Sequence, residues 1–341
     1  MIPSPLRLRL DAAALVANWR LLDGLSGRAA CGAAVKANGY GLGARGVVER
    51  LAAAGCRDFF VATWSEARAL ADLGVGLSVL HGIRAEDLAD RPPQLRPVLA
   101  SAEQVRRWRE AGGGNCDVMV DTGMNRLGVS PEQVAQGLLD GLAIDTLLSH
   151  LVSAEEDVPL NGRQRDRFAA LAGRTSARRM SLANSAGIAL GPDYHFDLTR
   201  PGIALYGGRY RDGHAGIRQV ATPEAQILQR RRVAAGETIG YNATFTAPRD
   251  MEVAILNLGY ADGYLRCFSD RGRGRAGDAV LPVLGRISMD LTALSVDAAP
   301  HLSEGDWVAI DYDLPETAAV SGLSQYELLT GLGARFDRIW E

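Results

Sequence analysis

The sequence has little cysteine. Its four residues (Cys31, Cys56, Cys116 and Cys267) show no C-x-x-C spacing, which argues against a disulfide framework and against a thiolate zinc site. The five histidines form no H-E-x-x-H or other cluster, so a metal mechanism lacks a ligand set and no metal is expected. No stretch of about 18 apolar residues occurs, and residues 1–11 contain no uninterrupted apolar segment of the export-signal kind. A cytoplasmic protein without a membrane partner is expected. The formal charge is only -3, with acids and bases interspersed, which offers no electrostatic attraction for nucleic acid. No repeat or low-complexity segment stands out, and no G-x-G-x-x-G follows an early strand and opens a helix. What is present, 341 residues of which 47% are hydrophobic, is enough for two domains with sizeable cores.

Between about residues 30 and 200, short apolar runs alternate with helical stretches rich in Ala, Leu, Glu and Arg. Eight strands are predicted, at 32–35, 58–62, 78–81, 97–99, 117–120, 144–148, 179–182 and 196–198, with helices such as 44–54 and 101–111 between them. Eight such units predict a (β/α)8 TIM barrel, although an open doubly wound sheet uses the same alphabet. Beyond residue 215 the helical spacing fades into strand-like runs at 226–228, 251–256, 280–284, 291–296 and 307–310. The expected division is a barrel over 12–215, with 1–11 and 216–341 forming a mostly β domain. Alternating Leu and Arg at 6–11 predict a strand outside the barrel that pairs with that second domain.

Lys36 ends an apolar run and enters a glycine-rich turn, a poor place for a solvated cation. Barrel active sites lie where strands end, and desolvation there lowers a lysine pKa and frees its amine to attack a carbonyl. Taken alone, the residue reads more readily as a snorkelling surface lysine, and the surrounding words change that. On the same strand count Arg126, His150, Asn184, Ser185 and Arg200 also follow strand ends, which converges them on one face. Asn184-Ser185 and Gly202-Ile203 supply small residues, hydroxyl and backbone N–H at the last two strand ends, the usual phosphate corner of a barrel. Each pair also reads as a helix cap and a turn.

The segment Val-Lys-Ala-Asn-Gly-Tyr-Gly-Leu-Gly around Lys36 resembles the pyridoxal-phosphate lysine segment of the alanine racemases. The resemblance continues through Val-Asp-Thr-Gly-Met-Asn-Arg-Leu-Gly (120–128), Ala-Asn-Ser-Ala, Arg-Pro-Gly-Ile-Ala-Leu-Tyr-Gly, Ile-Gly-Tyr-Asn-Ala-Thr-Phe (239–245) and Gly-Arg-Ile-Ser-Met-Asp (285–290). It implies pyridoxal 5'-phosphate held by Lys36, with Tyr40, Asn184, Ser185, Gly202, Ile203 and Tyr326 at the phosphate and His150 and Arg200 by the ring. Arginine keeps its proton, so a ring nitrogen facing Arg200 stays unprotonated and the ring becomes a weaker electron sink, which favours racemisation over transamination. Moving a proton between opposite faces of Cα takes two bases, and the resemblance implies Lys36 and Tyr241. Arg126 and Met289 would bind the substrate carboxylate, and Tyr260, Arg286 and Asp290 would line the entrance.

The implied activity is interconversion of L- and D-alanine, with D-alanine supplied to peptidoglycan, in a head-to-tail homodimer whose Tyr241, Tyr260 and Met289 complete the partner's site. A racemase of serine or another amino acid and a non-catalytic pyridoxal-phosphate-binding protein are the alternatives. The sequence departs from the family at Met119, where a carbamylated lysine usually orients the arginine matching Arg126, and at Leu42, where many members have histidine.

Overall fold

The computed structural model describes residues 3–341, so Met1 and Ile2 of the expected 1–11 segment lie outside it. The chain divides into two compact units, Leu15–Arg218 and a second one joining the residues through Ala14 to Gln219–Glu341.

In the first unit, Ala33–Ala34, Asp58–Val61, Gly76–Val79, Leu95–Leu99, Asn115–Met119, Ala143–Leu148 and Arg179–Ser181 pair in that order, each parallel to the next. The eighth strand, Leu198–Thr199, closes the ring. Asp197 N–H donates to Met180 O at 3.0 Å on one side, and Gly32 N–H donates to Thr199 O at 2.9 Å on the other. The barrel expectation therefore holds. The last strand starts later than predicted because Phe196 takes a positive φ of 52°, which interrupts extended backbone just before Leu198.

The crossover helices follow their apolar periodicity. Ala44–Ala54 buries Ala44, Val47, Val48 and Leu51, one stripe at helical spacing, and stops at Gly55 with φ 120°. Burying a leucine such as Leu51 contributes roughly 1.5–3 kcal/mol, and Leu51→Asp would forfeit it and leave an unpaired charge inside. Ala102–Glu110 starts at Ser101, whose side chain accepts from Gln104 N–H, and turns Val105 and Trp108 inward.

The barrel also encloses charge. Arg179 holds Asp58 at 2.8 Å and Asp145 at 2.7 Å, while fully buried Asp117 accepts from Ser78 Oγ at 2.6 Å and from Thr146 N–H at 3.0 Å. Burial pushes the Asp117 carboxyl above its usual range, and Arg96, 3.5 Å away, opposes that. Nothing in the period-2 pattern announced these pairs.

The second unit is mostly β, as predicted. Ala221–Val233 pairs through its first half with Leu6–Leu10 and Trp307–Ile310, and through its second half with Met251–Leu256. The sheet continues from Met251–Leu256 through Thr292–Ser295, Ala279–Leu284 and Arg273–Ala276 back to Trp307–Ile310, so this part closes on itself. A bulge between Ile227 and Gln229 lets one strand serve both halves. Leu6, Leu8 and Leu10 face inward and their strand also pairs in parallel with Asp337–Trp340, as the alternation at 6–11 predicts in kind. Two helices the sequence did not announce, Leu314–Ser321 and Gln325–Thr330, precede the last strand. Among the described residues no helix is long and apolar enough to cross a membrane.

Candidate active site

Lys36 opens a tight turn at the end of the first barrel strand. The four residues after it are left-handed, Ala37 (φ 53°), Asn38 (φ 53°), Gly39 (φ 64°) and Tyr40 (φ 54°). Each non-glycine residue in that region costs roughly 1–2 kcal/mol, so the turn must be held by its surroundings. Ala37 N–H donates to Glu66 Oε1 at 2.7 Å, Gly39 N–H to Val35 O at 2.8 Å, and Ala44 N–H to Asn38 Oδ1 at 3.0 Å. The result fixes where Lys36 and Tyr40 leave the backbone.

Burial, then the Arg126 charge, lowers the Lys36 pKa; Glu66 works against the fall and Arg200 adds to it. Lys36 is also the only lysine in the sequence, all other cationic side chains of this class being arginine. That signal lies in the composition, and motif reading passed over it. His150 is pressed by burial and by Arg200, Arg126 and Lys36 down to about 3, so it is neutral at ordinary pH.

Arg200 is buried. Its Nη2 donates to Ser149 O at 2.6 Å and its Nη1 to Ser181 Oγ, while nearby Asp197 accepts from Met180 N–H at 2.8 Å. Burial lowers its pKa to about 10, which keeps it charged at neutral pH. Behind it, Ser149 Oγ meets Thr122 Oγ1 at 2.8 Å, and buried Gln164 spans Thr122 Oγ1, His150 O and Val152 N–H. Arg126 itself is exposed, in the loop that follows Thr122. Met119 ends the fifth strand, and Leu42 is fully buried.

The last two strand ends form a cradle. Ser185 Oγ accepts from Gly202 N–H at 2.9 Å and Ala204 N–H at 3.2 Å, which uses both lone pairs and leaves its proton to be donated. Asn184 caps the short helix Ser185–Ile188 through Gly187 N–H, and Ile203 opens the turn Ile203–Tyr206. A Cβ at Gly202 would lie 2.1 Å from Tyr40 Oη, so only glycine admits the phenol there. Tyr40 stacks on Tyr206 at 4.7 Å, and Tyr206 Oη donates to Ala34 O at 2.8 Å. Sequence reading missed Tyr206, Ser181, Ser149 and Gln164, since each acts through a contact distant in the chain.

The remaining candidates belong to the β-rich unit. Tyr241 is 64% exposed and Met289 54% exposed. Tyr241, Arg286 and Ser288 line a groove of about 840 Å³ with an apolar floor that includes Val253 and Leu284. Tyr260 N–H donates to Ser288 O at 3.0 Å, its ring lies under Arg266, and Ala261 N–H donates to Met289 O at 3.0 Å. Asp290 is paired with Arg335 at 2.8 Å. Tyr326 stands half-buried on the helix Gln325–Thr330.

Residues 10–210 match the family model "Alanine racemase, N-terminal domain" and residues 220–340 match "Alanine racemase, C-terminal domain". The chain is 43% identical to an alanine racemase of Acidiphilium cryptum, covering 97% of this chain and 98% of the relative. It is 40% identical to a biosynthetic alanine racemase of Agrobacterium fabrum, covering 98% and 93%. Among solved structures, an alanine racemase from Bartonella henselae with covalently bound pyridoxal phosphate aligns with a TM-score of 0.88 at 33% identity, covering 99% of this chain and 100% of that one.

Proposed function

The chain belongs to the alanine racemase family, and from that premise we propose that it interconverts L- and D-alanine on pyridoxal phosphate, with Lys36 and Tyr241 as opposed bases. The observation that carries this reading is Lys36 itself, the sole lysine of the chain, set at a barrel strand end with its pKa lowered. The donor set suits the cofactor. Ser185 Oγ has a proton to offer, Gly202 leaves room beside the Tyr40 phenol, Asn184 and Ile203 border the same corner, and the buried Arg200 guanidinium is held in place by Ser149 and Ser181. When bound, pyridoxal phosphate supplies the electron sink that makes the α-proton acidic.

The side chains do the rest. Lys36 Nζ, with its pKa lowered, is available as an amine to take or return a proton on one face of Cα. Tyr241 Oη serves the other face. Arg200, still charged, offers hydrogen bonds and no transferable proton, so it would hold the cofactor ring without protonating its nitrogen. Neutral His150 adds no charge of its own beside it. Arg126 and the backbone N–H of Met289 bind the substrate carboxylate, with Tyr326 joining Tyr40 at the phosphate and Tyr260, Arg286 and Asp290 at the entrance.

A head-to-tail homodimer is part of the proposal. Tyr241, Met289 and Leu291 are all exposed, and Tyr241 and Leu291 line the same groove, apolar surface that a second copy would cover. The name of the Agrobacterium relative supports a biosynthetic role, with D-alanine made in the cytoplasm for peptidoglycan. Circular dichroism of L-alanine and of L-serine with the purified protein tests the reading. Loss of optical activity with alanine, faster than with serine, is expected; turnover of serine alone would replace the substrate, and turnover of neither would end the proposal.

A further inference from the structure

We propose that Glu66, from the neighbouring β/α unit, is a positioning residue for Lys36: its carboxylate clamps the left-handed turn that carries the lysine to the loop after the second barrel strand. The clamp is bonded on both sides. Oε1 accepts from Ala37 N–H at 2.7 Å, and Oε2 accepts from Ala62 N–H at 2.7 Å and Thr63 N–H at 3.2 Å. Three backbone donors on two segments thus converge on one carboxylate. A glutamine has a single accepting oxygen, and its amide would set N–H against N–H on the other side.

The turn needs such a clamp. Ala37, Asn38 and Tyr40 hold positive φ, and the first of them is bonded to Glu66. A residue at this place orients two groups together, Lys36 before the turn and Tyr40 at its end.

The clamp also carries charge. The charged and titratable groups acting on or beside Lys36 are Arg126, Arg200, His150 and Glu66, and Glu66 is the one anion among them. Its removal lowers the Lys36 pKa further. Since the free amine must accept a proton during turnover, the acidic limb of the kcat profile then moves to lower pH.

This inference rests on the racemase reading, and the holoenzyme tests it with two readouts. Glu66→Gln should lower kcat at least tenfold, move the acidic limb of kcat to lower pH, and speed amide hydrogen exchange over residues 37–41. Thr63→Ala, which removes only the helix-start bond from Glu66 N–H at 3.2 Å, should leave kcat within twofold. If Glu66→Gln keeps kcat within twofold with an unmoved limb, if exchange over residues 37–41 is unchanged, or if Thr63→Ala reproduces the loss, the proposal is overturned. Should Glu66→Gln not fold, Glu66→Asp decides. It keeps the charge and shortens the reach, so slower turnover and faster exchange with an unmoved limb support the clamp, and wild-type values overturn it. A wild type inactive on alanine defeats the functional reading alone, and exchange at residues 37–41 still judges the clamp.

Discussion

Arg200 donates through Nη1 to the hydroxyl of Ser181, a buried serine on the neighbouring barrel strand. With the Nη2 bond to Ser149 O, this fixes the guanidinium plane from behind. Hydrogen bonds to charged groups contribute roughly 1.5–3 kcal/mol, so Ser181→Ala should slow racemisation about tenfold or more while protein yield and secondary structure stay normal. Unchanged turnover would show that Ser149 alone holds the arginine.

Gly202 and Tyr40 set the second expectation. Because a Cβ at position 202 would fall 2.1 Å from Tyr40 Oη, Gly202→Ala should push the phenol aside and weaken cofactor binding, read by absorbance as pyridoxal phosphate is titrated into stripped protein. An affinity equal to wild type would remove Tyr40 from the phosphate site.

The two proposed bases lie in different units of the chain, Lys36 in the barrel and Tyr241 in the β-rich unit. If the partner subunit supplies the tyrosine, inactive Lys36→Ala mixed with inactive Tyr241→Ala should regain activity once subunits exchange, because each mixed dimer has one intact site. Demonstrated exchange with no recovery rejects the shared site.

The pH dependence of stability follows from His150. Its pKa falls from the ordinary 6.5 to about 3, so below pH 6.5 the unfolded chain binds a proton that the folded one does not. That contribution is complete above pH 6.5 and is lost progressively toward pH 3. Urea midpoints should therefore drop between pH 7 and pH 5, and by less in His150→Gln. An equal drop in both would show that other groups govern acid sensitivity.

What the sequence disclosed and what it hid divide along physical lines. Ala44–Ala54 and Met251–Leu256 were legible because burial imposes its period on apolar side chains, and the strand-end placement of Lys36, His150, Asn184 and Arg200 followed from counting strands. Arg273–Ala276 was not, since its sequence Arg-Gly-Arg-Ala offers almost no apolar side chain. It pairs with Ala279–Leu284 and Trp307–Ile310, and Gly274 leaves room for the Val308 and Leu294 side chains, to which a Cβ would come within 2.7 and 2.8 Å. Glu66, Ser181 and Gln164 were hidden for another reason. A polar residue that serves a distant backbone group leaves no local pattern.

Met119 bears on the last expectation. A thioether cannot be carbamylated, and with Lys36 the only lysine no other side-chain amine of this kind can take that part while Lys36 serves the cofactor. Arg126 must then be oriented without a lysine carbamate. Its loop is anchored instead by Asp121 Oδ1, which accepts from Gly123 N–H at 2.8 Å and Met124 N–H at 2.9 Å, and by Thr122 through Ser149 and Gln164. Turnover should be indifferent to removal of bicarbonate at fixed pH and ionic strength. Met119→Lys gains a side chain able to form a carbamate, but desolvating the new charge offsets most of a hydrogen bond worth roughly 1.5–3 kcal/mol, so only a modest fall in KM is expected, and only with bicarbonate present. Bicarbonate dependence in the wild type would contradict the assignment, because the sequence contains no second lysine to explain it.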